Sequence, residues 1–242
     1  MNEAYQILGT PRFGGILVVS DHASNRVPAN INLGIDPALL EQHIAVDIGV
    51  AGVVAVMAQR PGIAAFLGNV SRLVCDFNRD EHGPTVCPIA SDGHAIPGNA
   101  LDHVGHETRL ARFYRPYHEG LAALLDALPP ALIFSLHSFT PALASDPAQQ
   151  RPWQVGVLYN EDDRAARLAI PLLKAEGLIV GDQEPYSGRL LNATMNRHAE
   201  AEGRPYLGIE VRQDQISDPA AHTLWAERFA RIANQVAVAI GG

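Results

Sequence analysis

The sequence has little of what small stapled or thiolate-bound proteins depend on, beginning with cysteine. Only two cysteines, Cys75 and Cys87, occur among 242 residues, and no C-x-x-C pair is present. A framework of small disulfide modules is therefore excluded, and any bound metal must rely on nitrogen and oxygen ligands. No Walker loop, G-x-G-x-x-G fingerprint or G-x-S-x-G elbow occurs either. Nucleotide hydrolase, dinucleotide-dependent and serine hydrolase functions lose support for that reason.

Long apolar runs and an excess of basic charge are also missing. The longest apolar run, 48–58, is interrupted by glycines and is far shorter than the roughly 20 residues that cross a bilayer, so we expect no membrane partner. The N-terminus lacks the basic start and apolar core of a signal peptide, which favours a cytoplasmic location. With 18 basic against 26 acidic side chains, nucleic acid is disfavoured as a partner, because phosphates require a basic face.

Lysine is nearly absent, since Lys174 is the single lysine among the 18 basic residues. A compositional bias of the source genome accounts for most surface arginines. A few arginines can instead serve as carboxylate forks, because a planar guanidinium binds an acid through two parallel hydrogen bonds and an ammonium cannot. Arginines next to candidate catalytic groups are therefore candidate substrate ligands.

Strand-like and helix-like apolar patterns alternate along the chain. Strands are predicted at 16–20, 64–67, 72–75, 131–136, 154–159 and 206–211, and helices at 37–60, 101–128, 162–175 and 219–240. This alternation indicates a layered α/β sheet covered on both faces. Because no linker-like change in composition occurs, we expect one domain over residues 1–242.

Polar side chains follow two predicted strands at their carboxyl ends, where open α/β sheets bind ligands. His22 follows the strand at 16–20, and His137 and Ser138 follow the strand at 131–136. Two neutral imidazoles and a carboxylate make an open catalytic zinc site, so this placement suggests metal ligands. The alternative is that each histidine only caps its strand by hydrogen bonding to the backbone.

Two residues compete for the position of third ligand. Asn25 stands three residues after His22, where zinc hydrolases of the H-x-x-E kind carry an acid, but an amide is a poor zinc ligand. Asp47 lies in line with the apolar stripe of the predicted helix 37–60, and an unpaired buried carboxylate is costly. Asp47 therefore needs a cation, either a metal or a buried arginine.

Further candidates supply hydrogen-bond donors and a base. Arg72, Asn78 and Arg79 offer donors for a substrate carboxylate, or for a carbonyl oxygen that becomes negative. Glu210 is flanked by apolar residues in a strand pattern, and partial burial would raise its pKa and suit it to general-base work. A glutamate on an edge strand that faces water would show the same pattern. Tyr186 lies in a turn-rich loop suited to substrate contacts.

Seven segments, taken in order, cover nearly the whole chain: VSDHASNRVP, HIAVDIG, SRLVCDFNR, YRPYH, LHSFTP, PYSG and GIEVRQD. Together they resemble the N-formylglutamate amidohydrolase family, which is distantly related to zinc carboxypeptidases and aspartoacylase-like deacylases. The resemblance implies a three-layer α/β/α fold with a mixed, mostly parallel central sheet, like that of zinc exopeptidases and phosphorylase/hydrolase-like proteins. The chain departs from the distant relatives at Asn25, where they carry a zinc-binding glutamate.

The resemblance also implies roles for the candidate residues. His22 and His137 would bind one zinc ion, Asp47 would complete the metal site, and Glu210 would act as general base and acid. The implied substrate contacts are Arg72, Asn78 and Arg79, with Arg72 also stabilising the oxyanion. Ser138 and Tyr186 are further candidate substrate contacts.

The implied reaction is removal of a formyl or other small acyl group from an N-acylated amino acid, with N-formyl-L-glutamate as the leading substrate. Two alternatives stay open: a carboxypeptidase-like or other deacylase, since the same zinc chemistry cleaves any amide that the pocket admits, and a binding protein that has lost catalysis. The implied partner is a small acidic substrate, and protein partners are left open. Zinc content and turnover would separate the alternatives.

Overall fold

The computed structural model describes residues 2–241 of the chain. The strands within these residues are β1 (Tyr5–Leu8), β2 (Ile16–Ser20), β3 (Ile63–Gly68), β4 (Ala90–Ser91), β5 (His94–Ala95), β6 (Leu132–Phe139), β7 (Val155–Leu158), β8 (Val180–Asp182) and β9 (Tyr206–Arg212). The α-helices are α1 (Val50–Met57), α2 (His103–Arg109), α3 (Arg115–Ala127), α4 (Arg164–Ala175), α5 (Ala193–His198) and α6 (Pro219–Gly241). None of these helices is both long and apolar enough to cross a membrane.

Seven strands form one mixed sheet in the order β1-β3-β2-β6-β9-β7-β8. Four of its six strand pairs are parallel and two are antiparallel. The four central strands β3, β2, β6 and β9 all run in one direction, so their carboxyl ends meet at one edge. β4 and β5 form a separate hairpin.

Helices cover both faces of the sheet because its strands are apolar on both sides. In β2, Ile16 and Val18 pack into a core cluster with α1, α4 and α6, whereas Leu17 and Val19 point to the opposite cluster, which includes α3 and α5. Full burial of each such aliphatic side chain contributes about 1.5–3 kcal/mol. The three layers and the mixed, mostly parallel sheet confirm the predicted fold class.

The predicted helix 37–60 is wrong over most of its length. Only a short 3-10 turn, Pro37–Glu41, and α1 are helical there. The intervening chain is tied elsewhere, since the Asp47 amide donates to the His22 carbonyl oxygen at 3.0 Å. Gly49 then adopts φ +83°, a left-handed conformation that interrupts any continuous helix. The apolar periodicity indicated the buried residues, but it predicted the wrong backbone conformation.

The predicted strand 72–75 is also wrong, because this segment is a buried turn. The Ser71 hydroxyl accepts from the Leu73 amide at 3.2 Å, and the Ser71 carbonyl accepts from the Val74 amide at 2.8 Å. Local serine hydrogen bonds of this kind compete with strand pairing. The turn brings Arg72 and Asp76 into direct contact, with 3.0 Å between Arg72 Nη2 and Asp76 Oδ2.

The long predicted helix 101–128 is divided into α2 and α3 by a π-helical turn, Leu110–Tyr114. Pro116 is the second residue of α3. It has no amide proton and would crowd the carbonyl four residues earlier in a regular helix. A widened turn relieves that conflict.

Candidate active site

The two candidate histidines lie at the carboxyl ends of neighbouring parallel strands. The chain leaves β2 at Ser20 and carries Asp21 and His22, while His137 lies near the end of β6. The two imidazole centroids are 5.1 Å apart, with the ring planes at 61°. The sheet therefore brings together two side chains that are more than a hundred residues apart in sequence.

Asp47 bridges the two histidines. Its Oδ2 atom lies 2.9 Å from His137 Nδ1 and 3.4 Å from His22 Nδ1. Its other oxygen accepts from Arg72 Nη1 at 3.3 Å. Of the two cations that the sequence left open for Asp47, the arginine contacts one oxygen, and the histidine pair at the other oxygen forms with it a group that could hold the metal. Asn25 lies apart from this group, and its amide donates to Glu41 Oε1 at 2.9 Å.

A separate carboxylate stands behind each histidine. His22 Nε2 lies 2.7 Å from Asp76 Oδ1, and His137 Nε2 lies 3.3 Å from Asp21 Oδ2. If each Nε2 carries the proton that faces its carboxylate, both Nδ1 atoms present lone pairs towards Asp47. Histidines backed by a carboxylate in this way are typical of metal sites.

These backing carboxylates are themselves fixed by hydrogen bonds. Asp21 Oδ1 accepts from the Tyr117 hydroxyl at 2.7 Å and from the Thr194 hydroxyl at 2.9 Å. Asp76 accepts from Arg72 and from the Asn78 amide, the latter at 3.0 Å. Although burial opposes ionisation, these donors and the neighbouring histidines keep the pKa of both aspartates below its ordinary value.

The residues present fit a divalent metal. His22, Asp47 and His137 are all buried, and each offers one ligand atom within 4.8 Å of the others. His22 Nδ1 is buried without any hydrogen-bond partner, as expected of a nitrogen atom that coordinates a metal ion. Two imidazole nitrogens and one carboxylate oxygen form the donor set of many catalytic zinc sites.

The electrostatics of the cluster also call for a cation at this point. Burial and Arg72 lower the pKa of His22, but Asp76 and Asp47 outweigh them and the net pKa is raised. The pKa of His137 is likewise raised well above its ordinary value, because Asp21 and Asp47 overcome its burial. The surrounding carboxylates therefore favour positive charge at both histidines, and a proton or a metal ion would supply it.

Glu210 lies beside the histidines, on the same face of the sheet. It is the register partner of His137 in the β6–β9 pairing, and β9 is an interior strand between β6 and β7. Its placement on an edge strand facing water, left open by the sequence, is therefore wrong. Burial raises the pKa of Glu210 to about 7, and its Oε2 atom is buried with no hydrogen-bond partner.

A small cavity of about 140 Å³ adjoins these groups, and we call it the inner pocket. Its lining includes both histidines, Asp47, Glu210 and all five residues expected to contact substrate: Arg72, Asn78, Arg79, Ser138 and Tyr186. A larger and more open cavity of about 700 Å³ shares Asn78 and Arg79 with it.

The expected substrate-contact residues differ in how far they are already engaged. Arg72 is bound to Asp47 and Asp76, whereas Arg79 Nε lies 3.9 Å from Asp76 and is more available. Asn78 Oδ1 accepts from the Thr194 amide at 3.1 Å. The Ser138 hydroxyl donates to the Ile48 carbonyl at 2.9 Å, which leaves only its oxygen lone pairs for a ligand.

Sequence reasoning missed several residues of this site. It gave no role to Asp21, which adjoins His22, or to Asp76, which stands two residues before Asn78. His43 lines the inner pocket, and its Nε2 atom lies 2.9 Å from Asp92 Oδ2. The polar residues that follow each predicted strand were the one signal in the sequence for these positions. Tyr117 and Thr194 contact Asp21 from helices that are distant in sequence.

Comparisons with known proteins give the family of the chain and relatives of its fold. A model of the N-formylglutamate amidohydrolase family matches residues 14–217, and no curated protein sequence matches the chain. The fold is similar to that of gene product Atu2144 from Agrobacterium tumefaciens, with TM-score 0.92 and 25% identity over 100% of this chain and 97% of that one. It is also similar to an N-formylglutamate amidohydrolase from Ralstonia eutropha JMP134, with TM-score 0.72 and 17% identity over 97% of both chains.

Proposed function

The chain belongs to the N-formylglutamate amidohydrolase family, and from that membership we propose that it is a metal-dependent enzyme that removes a formyl or other small acyl group from an N-acylated amino acid. The leading substrate is N-formyl-L-glutamate, which would yield formate and L-glutamate. The observation that carries the proposal is the inner pocket, where Glu210 lies next to the His22, Asp47 and His137 group.

The metal would be held by Nδ1 of His22, Nδ1 of His137 and one oxygen of Asp47. Zn²⁺ suits this donor set, and when bound it would lower the pKa of water and polarise the acyl oxygen. Asp76 and Asp21 would keep each imidazole in the tautomer whose Nδ1 lone pair faces the metal.

Glu210 is suited to be the general base and acid of the reaction. A carboxyl group whose pKa is raised to about 7 exchanges its proton readily near neutral pH. Glu210 would take a proton from the attacking water and then donate it to the departing amine. Its buried Oε2 atom has no competing hydrogen bond, so it is available for this transfer.

The guanidinium and amide donors would hold the charged parts of the substrate. Arg79 and Asn78 line both cavities. Arg79 donates through Nη1 to the Asn78 carbonyl at 2.9 Å and has no carboxylate closer than 3.9 Å, so its other donors are available. Arg72 is anchored by two aspartates, so its remaining donor positions are fixed in direction. Preorganised donors of this kind stabilise an oxyanion without reorganising during the reaction.

Glu210→Gln tests the proposed function. We expect zinc-loaded wild type to release formate from N-formyl-L-glutamate, and the variant to lose roughly 10²- to 10⁴-fold in kcat while keeping its zinc. Formate release gives the rate, and elemental analysis gives the metal content. Glu119→Gln is the matched control, because Glu119 is exposed on α3.

Two results would contradict the proposal. A Glu210→Gln variant with the wild-type rate would remove Glu210 from its role. A zinc-loaded wild type that hydrolyses no N-acyl amino acid, in a panel extended to acetyl and short peptide substrates, would contradict the enzymatic function itself.

A further inference from the structure

A buried guanidinium without an acidic partner lies behind the inner pocket. Arg151 is only 5% exposed. Its guanidinium donates to three neutral acceptors: Gln149 Oε1 at 2.9 and 3.0 Å, the Thr140 carbonyl at 3.3 Å and the Tyr186 hydroxyl at 2.9 Å. No ion pair formed within residues 2–241 includes Arg151.

A buried positive charge without a carboxylate is costly unless something else compensates it. Two aspartates balance the charge of Arg72. Arg109 is also buried without an acid, but it donates to the Val74 carbonyl and to Asn99 Oδ1, neither of which lines the inner pocket. Arg151 has only dipoles around it. Because the chain has a net charge of −8, a shortage of acidic side chains does not explain the difference. An anionic ligand in the adjoining pocket would supply the missing charge.

Tyr186 connects Arg151 to that pocket. Both Tyr186 and Thr140 line the inner pocket, and the Arg151 guanidinium carbon lies 5.0 Å from the centroid of the Tyr186 ring. The Tyr186 oxygen accepts a hydrogen bond from Arg151, which leaves the phenolic proton for an acceptor in the pocket. A hydroxyl that accepts from a cation is also a stronger donor.

The two arginines that line the inner pocket, Arg72 and Arg79, cannot hold both carboxylates of a doubly charged substrate. Arg72 already faces Asp47 and Asp76, and Glu210 adds a further acid to the same cavity. Arg79 is therefore the available partner for one substrate carboxylate. A second carboxylate needs a separate donor with positive charge behind it, and the Tyr186 hydroxyl backed by Arg151 meets that need.

We propose that Arg151 is a specificity-determining positioning residue, which acts through the Tyr186 hydroxyl to favour N-acyl amino acids that carry a second carboxylate in the side chain. This proposal rests on the proposed deacylase function and adds to it the group that reads the side chain. Arg151 itself does not touch the substrate. It orients the tyrosine and supplies the charge that makes a carboxylate preferable to a neutral amide of the same shape.

Paired substrates test this proposal, because N-formyl-L-glutamate and N-formyl-L-glutamine differ only in side-chain charge and hydrogen-bonding. We expect Arg151→Gln to raise KM for the glutamate compound by roughly 10- to 100-fold, with little change in kcat or in KM for the glutamine compound. Arg151→Lys should recover part of the preference, because the charge remains. Arg189→Gln is the control, since Arg189 is an exposed arginine of the same loop as Tyr186.

A structural role for Arg151 would give a different result. If Arg151 only anchors the loop to Thr140 and Gln149, its replacement would change the kinetics of both substrates equally, and that outcome would overturn the proposal. Tyr186→Phe guards against poor folding of the arginine variants. It leaves Arg151 in place, removes the donated proton and should remove the same preference; a Tyr186→Phe variant that keeps the preference would overturn the proposal.

Binding of the amino acids alone separates failure of this proposal from failure of the proposed function. Calorimetry with the zinc-loaded protein should show tighter binding of L-glutamate than of L-glutamine, and Arg151→Gln should abolish the difference. Absence of formate release would contradict the deacylase function, and the calorimetric preference would still decide the role of Arg151. Equal binding of both amino acids by the wild type, or binding of neither, would overturn the proposal.

Discussion

The Asp76 carboxylate joins two parts of the site, because it contacts His22 through one oxygen and Arg72 through the other. The distances are 2.7 Å to His22 Nε2 and 3.0 Å to Arg72 Nη2. Loss of its negative charge makes the imidazole a weaker ligand and leaves the guanidinium with Asp47 alone. We expect Asp76→Asn to weaken zinc binding roughly 10- to 100-fold, as measured by competition with a chromophoric chelator.

Asp92→Asn is the matched control for this substitution. Asp92 also backs a histidine of the inner pocket, since it lies 2.9 Å from His43 Nε2, but His43 is outside the group that can hold the metal. The control should bind zinc like the wild type. Equal zinc affinity in Asp76→Asn and wild type would show that the backing carboxylate does not tune the site.

The separate residues of the site were predictable from the sequence to different degrees. His22, Asp47, His137 and Glu210 could be singled out because each is a polar residue in an apolar or strand-end context. The partners that fix them could not be, because they arrive through space from other segments. Arg151 has no local signal at all, since only the tertiary structure reveals that it is buried and without an acid.

At the level of the elements, the turn at Gly49 determines how Asp47 enters the site. Gly49 has φ +83° and caps the start of α1 two residues after Asp47, and a Cβ atom there would collide with the Ile216 carbonyl and side chain. Gly49→Ala therefore combines backbone strain with a steric clash. We expect a loss of at least about 3 kcal/mol in the free energy of unfolding, measured by urea denaturation.

Gly93 provides a close control for this prediction. It has the same φ of +83°, but a Cβ atom there would meet nothing within 4 Å. Gly93→Ala should therefore cost only the left-handed backbone strain, about 1–2 kcal/mol. If both alanine variants lost the same stability, close packing of Gly49 against Ile216 would not be the reason for its glycine.

Elements with unbroken apolar patterns were predicted well, and elements that depend on one unusual residue were not. The strand at 16–20 is β2 without any change of boundary, and the predicted helix 219–240 is α6 within one residue. The helix 37–60 was wrong because periodicity cannot register the left-handed turn at Gly49. The strand 72–75 was wrong because side-chain hydrogen bonds of Ser71 favour a turn.

At the scale of the whole molecule, the active site depends on the complete sheet. The proposed ligands and base come from the chain after β2, the turn before α1, the end of β6 and the interior strand β9. The carboxyl ends of the parallel strands form the floor, and the side with α3 and α5 supplies Tyr117 and Thr194 to fix Asp21. No single segment holds the metal ligands, so the site exists only in the folded chain.

The overall charge also shapes how a substrate binds. A protein with net charge −8 repels small anions at a distance, so attraction of an acidic substrate must come from nearby guanidinium groups. Arg72 and Arg79 line one small cavity, and Arg151 lies behind Tyr186 at the same cavity, which suits them to the substrate-binding roles proposed above.

Formate release from N-formyl-L-glutamate before and after removal of metal is the most direct test of the account. The protein would be assayed as purified, after removal of metal by a chelator, and after addition of one equivalent of Zn²⁺, with metal content measured each time. We expect the stripped protein to lose activity and the reconstituted protein to regain it, and His22→Ala and His137→Ala to regain none. Full activity in protein verified to be free of metal would contradict the account.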